Sequence, residues 1–477
     1  MADFTGSAEK MKAEGLPPAA IKAFENSFKL LATGEMGMIP EADISPASEV
    51  PRLEELAGSV TARPELLGEC VMLKLNGGLG TSMGLDQAKS LLKVKGEDTF
   101  LDLIAVQVMS MREKFGQKVR FMLMNSFATS DDSMNYLSKY TELVQDDIQF
   151  VQNKVPKLDR ETLQPASYEP NPGCEWCPPG HGDLYAALEG SGTLDKLLAD
   201  GIKYMFVSNS DNLGAVMDLT LLTHFAESDS PFMMECADRT VNDKKGGHLA
   251  VRNADSQLIL REAAMCPDED EDEFQDISKH KFFNTNNLWI RLDKLREYMD
   301  SHDGIIPLPM ISNKKTVNPK DESSTPVFQL ETAMGAAIEC FTGASAIVVP
   351  RDRFAPVKKC SDLLLLRSDA YAVVDGKIVL AEGVDSAPQM GLDSKKYKLV
   401  QSLEKACPNG TPSLAETTKF TVKGFVEFDA GNKFVGEVKI VNGSGVTKAL
   451  PPGTYDGCTV DISANAISVT GGTINFC

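Results

Sequence analysis

Apolar residues along this chain fall into two kinds of pattern. Near the start, Ile21, Phe24, Phe28 and Leu31 recur at helical spacing, and a proline-containing polar stretch follows them. Residues up to about 65 are therefore read as helical and peripheral. From about residue 70, short, largely apolar runs take over. Val71–Leu75, Phe121–Met124, Tyr204–Val207, Phe232–Cys236, Leu288–Ile290 and Ala346–Val349 each predict a buried strand. Between the first two, Phe100, Ile104, Val108, Met111 and Phe115 form the stripe of an amphipathic helix, and a second helix is predicted over Leu330–Phe341. Strands separated by helices imply βαβ units and a largely parallel sheet. Over about the last ninety residues the helical period disappears. Short runs rich in Val, Ile, Thr and Phe, punctuated by Gly and Asn, fit a β-solenoid or a small β-sandwich.

Composition changes this picture in a few places. The 477 residues suffice for two to four domains and a large core without staples. With 48 Lys+Arg against 68 Asp+Glu the formal charge is −20. Nucleic acids and anionic membranes are poor partners for such a chain, and any phosphate ligand needs a local cationic pocket. Of ten cysteines only Cys174 and Cys177 form a C-x2-C pair, with no second pair to complete a zinc site, so reduced thiols are expected. The N-terminal residues show no apolar signal core, and no run approaches the ~18 apolar residues of a membrane span. A cytoplasmic protein is expected. The acidic run Asp268–Glu273 and the stretch Ser312–Pro326 are read as solvated surface excursions.

Candidate chemistry begins where the first strand ends, in Asn76-Gly77-Gly78-Leu79-Gly80-Thr81-Ser82-Met83-Gly84. No lysine completes a Walker A motif, and Met83 stands where a dinucleotide fingerprint needs glycine. What remains is a strand feeding four glycines into a turn whose backbone can approach a base or phosphate closely. Lys89 follows near enough to bring an ammonium to the phosphates. The strand Tyr204–Val207 runs into Ser208-Asn209-Ser210-Asp211, placing a carboxylate at a sheet edge where α/β folds bind ligands. An Asp beside phosphates suits Mg²⁺; an Asx-turn or helix cap is the plainer alternative. Pro178–Asp183 is a rigid turn presenting His181. Phe283–Asn287 gathers amides suited to sugar hydroxyls, and Arg353–Lys358 brings a lysine to a sheet edge.

Seven segments in order (LKLNGGLGTSMG, FVQNKVPK, PPGHGD, VSNSDNLG, FFNTNNLW, QLETAMGAA and RFAPVK) resemble the UTP–glucose-1-phosphate uridylyltransferases, also called UDP-glucose pyrophosphorylases. The resemblance runs from about residue 71 to 370 and more loosely over both ends. It implies an α/β, Rossmann-like nucleotidyltransferase core of the glycosyltransferase-A type over residues 51–385. A helical N-terminal region over 1–50 and a C-terminal left-handed β-helix over 386–477 are implied with it. The implied reaction joins UTP and glucose 1-phosphate, with Mg²⁺, into UDP-glucose and pyrophosphate; a broader UDP-sugar pyrophosphorylase is the alternative.

Carried over by position, the resemblance places UTP against Leu75, Asn76, Gly77, Gly78, Lys89, Gln152 and Gly180. It places the sugar phosphate among His181, Asn209, Gly247, Glu262, Asn286 and Lys358, and the metal on Asp211. Lys89 and Lys358 would be the catalytic charges. Neither nucleic acid nor membrane is an implied partner. Relatives include monomers and assemblies built through the β-helix, so self-association through the C-terminal domain is left open.

Overall fold

All six apolar runs form strands, and they meet in one ten-stranded sheet at the centre of the computed structural model. The structure describes residues 3–35, 37–56, 58–143, 147–463 and 466–476. In chain order the strands of the sheet are β1 (Ile44–Pro46), β2 (Cys70–Asn76), β3 (Arg120–Asn125), β4 (Gln149–Val151) and β5 (Tyr204–Asn209). After these come β6 (Phe232–Asp238), β7 (His248–Arg252), β8 (Leu258–Arg261), β9 (Phe282–Arg291) and β10 (Ser345–Val348). The main path is β1-β7-β9-β5-β2-β3-β4, with β8 beside β7 and with β6 between β9 and β10.

The central strands are largely apolar because both faces are covered, with Lys74 and Glu235 as buried charges within them. Alternate residues go to opposite cores: Met72, Phe121 and Phe206 to one, Val71, Met122 and Met205 to the other. The helix Phe100–Phe115 covers the first face. Thr99 and Asp102 close a capping box at its start, and Gly116 ends it in the left-handed conformation.

Three expectations need correction. The sheet is mixed rather than largely parallel. β5, β2, β3 and β4 run parallel, as do β6 and β10, but β9 is antiparallel to both β5 and β6. Strand direction is set by where a connection returns, which an apolar run does not encode.

The helix over Leu330–Phe341 is absent. Pro326–Thr332 is a strand antiparallel to Met310–Thr316, and Met334–Cys340 is a 3₁₀ stretch. Its apolar residues serve two cores: Leu330 packs with the N-terminal helices, while Met334 and Ile338 join the central sheet. The helical spacing was thus shared between two elements. The stretch read as a surface excursion over Ser312–Pro326 is the exposed tip of this hairpin, with strand only over its first five residues and its last. The acidic run, finally, is a 3₁₀ turn and a short helix, Glu271–Gln275, held by buried Phe274 and an Arg261–Asp270 ion pair.

Helices Thr5–Ala13 and Pro18–Thr33 pack through Met11, Phe24 and Phe28 onto Val155, Leu158 and Leu330. Downstream, β11 (Gln389–Leu392), β12 (Ser413–Lys423), β13 (Asn432–Asn442) and β14 (Gly453–Ile462) stack in parallel, and β15 (Ile467–Phe476) closes the sheet antiparallel to β14. Parallel stacking of consecutive strands is the pattern of successive coils; an antiparallel sandwich would not give it. The nine described cysteines are all free, and Cys477 lies outside the described residues. Among the described residues no helix is long and apolar enough to cross a membrane.

Candidate active site

The C-terminal ends of β2, β3, β4 and β5 open into a cleft of about 290 Å³, at the edge where parallel strands of α/β folds receive ligands. The glycine loop forms one wall. Gly80 and Gly84 take left-handed conformations (φ +63° and +78°) that let the chain double back, so that the Lys89 N–H reaches the Gly78 carbonyl at 3.0 Å. Leu75, Gly77 and Gly78 line the cleft. Gly77 lies directly under Gln152, where a Cβ would come within 2.3 Å of the Gln152 Oε1. Gly77→Ala is therefore expected to displace that amide and raise KM for the nucleotide roughly tenfold with little change in Tm, as steady-state kinetics and thermal melting would read. An unchanged KM would mean that the Gln152 amide has no part in binding.

Asn76 does not line the cleft. Its Nδ2 donates to Asn125 Oδ1 (2.7 Å) and Ser133 Oγ (2.8 Å), and its carbonyl accepts the Thr129 hydroxyl. It ties the ends of β2 and β3 together below the loop.

The opposite wall is the Pro178–Asp183 turn. Gly180 and Gly182 are pressed against Thr332, and the Thr332 N–H donates to the Pro179 carbonyl. His181 Nδ1 accepts the Met334 N–H at 3.0 Å, and burial pushes the imidazole pKa down to about 4. The ring is thus neutral with its proton on Nε2. Asp183 accepts both the Asn153 N–H (2.6 Å) and its Nδ2, locking Gln152's neighbour to this turn; burial pushes that carboxyl up to about 7. The role of QLETAMGAA is visible here: it holds the histidine turn.

At the floor, Asn209 ends β5, Ser210 and Asp211 follow it, and Lys89 Nζ stands 2.6 Å from Asp211 Oδ2. The cationic group and the carboxylate meant for the phosphates and a metal thus occupy one spot. Among the described residues no three His, Cys, Asp or Glu side chains gather as a metal cage. A lone carboxylate that already attracts a cation fits Mg²⁺, which takes its remaining oxygens from phosphates and water.

Gly247, Glu262, Asn286 and Lys358 lie outside this cleft, on an adjoining shelf. Gly247 lies against the Glu262 carboxylate, where a Cβ would come within 2.5 Å of an oxygen. The Asn284 amide also faces that carboxylate, donates to Asn286 Oδ1 and fixes that residue's left-handed turn (φ +59°). Burial raises the Glu262 pKa, which the nearby Lys358 ammonium partly opposes. Because Val207 pairs with Leu288, Asn209 and Asn286 emerge at the same sheet edge. Lys358 arrives on a strap stitched to the floor. The Val357 N–H donates to the Asp211 carbonyl, Ala355 N–H to Asn212 Oδ1, and Asn212 Nδ2 to the Arg353 carbonyl. Arg353 is itself buried in a bidentate pair with Glu235 (2.7 and 2.9 Å).

The structure therefore brings nine of the expected residues into one cleft and four more beside it. It adds Asn212 and the Glu235–Arg353 pair, to which the sequence pattern assigns no role, and gives Asn284, one of the Phe283–Asn287 amides, the part of facing Glu262. The signal for the pair was a charged residue inside the apolar strand Phe232–Cys236.

A family model described as UTP–glucose-1-phosphate uridylyltransferase matches residues 21–434. The barley (Hordeum vulgare) protein of that name is 40% identical over 395 residues, covering 82% of this chain and 81% of its own. A mutant UDP-glucose pyrophosphorylase from Leishmania major, solved in complex with UDP-glucose, superposes with a TM-score of 0.90 at 45% identity, covering 97% and 99% of the two chains. A UDP-glucose phosphorylase structure from Trypanosoma brucei gives 0.88 at 48% identity, covering 96% and 99%. With a cleft at the parallel strand ends and these matches over most of its length, the chain belongs to the UTP–glucose-1-phosphate uridylyltransferase family.

Proposed function

We propose that this protein transfers the uridylyl group of UTP to glucose 1-phosphate, releasing pyrophosphate and forming UDP-glucose. The observation that carries the reading is the convergence of the glycine loop, Gln152, the His181 turn and the Lys89–Asp211 pair in one cleft, with a sugar-suited shelf and Lys358 alongside.

UTP binds with its base between Gln152 and Gly180 and its phosphates along the backbone of Leu75, Gly77 and Gly78, while Asn76 holds the loop. Glucose 1-phosphate lies over Asn209, Gly247, Glu262 and Asn286, and the Nε2–H of His181 donates to an oxygen of the sugar phosphate. A phosphate oxygen of glucose 1-phosphate attacks the α-phosphorus of UTP in line. The bond from that phosphorus to the bridging oxygen breaks, and pyrophosphate leaves with the electron pair. No general base is needed, because the attacking phosphate is already deprotonated. Lys89 and Lys358 oppose the charge that gathers on the phosphoryl oxygens, in a protein whose net charge of −20 works against both substrates. Mg²⁺ held by Asp211 would supply further charge neutralisation and orient the phosphates.

The finer architecture belongs to the same reading: a glycosyltransferase-A-like core, with N-terminal helices over 1–50 and a left-handed β-helix over 386–477. The parallel stacking of β11 to β14 supports the last of these. The free cysteines support a cytoplasmic site of action.

Pyrophosphate release from a panel of UTP, CTP, ATP and GTP against glucose 1-phosphate and galactose 1-phosphate tests the proposal. Release with UTP and glucose 1-phosphate above all other pairs is expected. Silence with that pair overturns the proposal, and equal use of galactose 1-phosphate replaces it with a broad-specificity pyrophosphorylase. Gln152→Ala should cut the preference for UTP over CTP by at least tenfold, since a site built to hydrogen-bond one base edge rejects the other. An unaltered preference would remove Gln152 from base recognition.

A further inference from the structure

Lys74 interrupts the apolar strand β2, and its side chain is 0% exposed. Among the described residues its ammonium makes no ion pair. Nζ donates instead to Ser208 Oγ at 2.7 Å and to the Ala215 carbonyl at 2.6 Å. A buried charge without a counter-ion is costly, and a leucine or methionine would fill the same space without that cost.

Its two partners indicate what offsets the cost. Ser208 is the residue before, and Ala215 the residue after, the loop Asn209–Gly214 that carries Asn209, Ser210 and Asp211. One ammonium therefore joins both stems of the loop from beneath the cleft floor. Other side chains grip the same segment: Gln107 donates to the Leu213 carbonyl and Arg353 to that of Val216. Gly214 is pressed so closely on the Asp352 carbonyl that a Cβ would stand 2.1 Å from it. Arg353 is neutralised by Glu235; Lys74 has no such carboxylate.

We propose that Lys74 is a positioning residue for uridylyl transfer, setting Asp211 and, through Asn212, the strap that delivers Lys358. The inference rests on the function proposed above. Lys74 does not line the cleft, so it acts through the loop and not on substrate. Burial, with the Arg353 guanidinium acting in the same sense, pushes its pKa down to about 7, the mark of a site that tolerates the charge poorly.

Lys74→Met keeps the length and apolar stem of the side chain. In the full-length enzyme its Tm should stay within a few degrees of the parent, because relief of the buried charge offsets the two lost hydrogen bonds. kcat should fall about 30- to 100-fold, the scale of a misplacement near 1 Å. Calorimetric affinity for UTP without added metal should change less than about threefold, since the glycine loop and Gln152 hang from other attachments. Ser208→Ala should reproduce part of the kcat loss, and the double variant should be no worse than Lys74→Met alone.

Undiminished kcat in Lys74→Met overturns the proposal, as does a parallel fall of kcat, Tm and UTP affinity, which would mark a purely structural lysine. Should Lys74→Met fail to fold, a Ser208→Ala variant with full kcat overturns the proposal equally, and one with reduced kcat and unchanged Tm supports it. Failure of the underlying function appears separately, as a parent enzyme that releases no pyrophosphate from UTP and glucose 1-phosphate.

Discussion

Replacing Lys358 by alanine lowers kcat by about 10²–10³ and leaves nucleotide affinity within a few-fold of the parent. The split follows from where the residue stands. Its side chain is exposed on the sugar shelf beside Glu262 and takes no part in lining the nucleotide cleft. UTP alone therefore gains little from it. Once both substrates are present, its ammonium stands beside Glu262 at the edge of the shelf, on a strap bonded to Asp211 at the cleft floor. It then acts mainly on charge that develops as the new bond forms, and the loss of one such preorganised group costs about 3–4 kcal/mol of transition-state stabilisation. The strap that carries it is anchored by backbone and buried side chains, from Val357 to Asp211 and from Arg353 to Glu235, so truncation beyond Cβ should leave the fold intact. Steady-state kinetics with each substrate varied in turn would read the split. Turnover close to that of the parent would take Lys358 out of the mechanism.

The strands and the glycine loop were legible because each is written locally. Residues such as Met72 and Val71 face opposite cores, so β2 is apolar from Cys70 to Leu75 apart from Lys74, and a strand buried on both faces has few other readings. The helix Phe100–Phe115 likewise carries its own stripe and caps. The failures lie where one pattern serves two elements. Leu330, Met334 and Ile338 keep helical spacing, yet the chain passes from a strand into a 3₁₀ stretch between them. Site residues divide the same way. Asp211 could be placed from the run that precedes it, whereas its ion pair with Lys89 joins positions 122 apart in sequence. Glu235 and Lys74 stand as single charges in otherwise apolar strands, a local signal that the apolar pattern hides, but Arg353 lies 118 residues from Glu235, and nothing local names it as the partner. Gln152, Gly247 and Glu262 came from the family resemblance alone. The structure supplies their physical reason in the close approaches of Gln152 to Gly77 and of Glu262 to Gly247.

Removing the Asp211 carboxylate should move binding and turnover in opposite directions. In the free protein Asp211 Oδ2 holds Lys89 Nζ at 2.6 Å, with both side chains only about a fifth exposed. UTP must win that ammonium from the carboxylate while bringing its own negative charge toward it. Asp211→Ala frees the lysine and deletes the repulsion. Partial exposure screens the effect, so a gain of about 1 kcal/mol, or five- to tenfold tighter UTP binding in the presence of a chelator, is expected. With Mg²⁺ supplied, turnover should instead fall about 10³-fold, and the Mg²⁺ concentration at half-maximal rate should rise, because the carboxylate proposed to hold the ion is gone. Calorimetry of UTP in chelator, set beside pyrophosphate release across a Mg²⁺ titration, would measure both. An unchanged Mg²⁺ requirement would exclude Asp211 as the ligand. Weaker metal-free binding of UTP would instead reduce the carboxylate to a structural anchor for Lys89, since only a carboxylate that competes with the triphosphate can loosen its grip while the enzyme is intact.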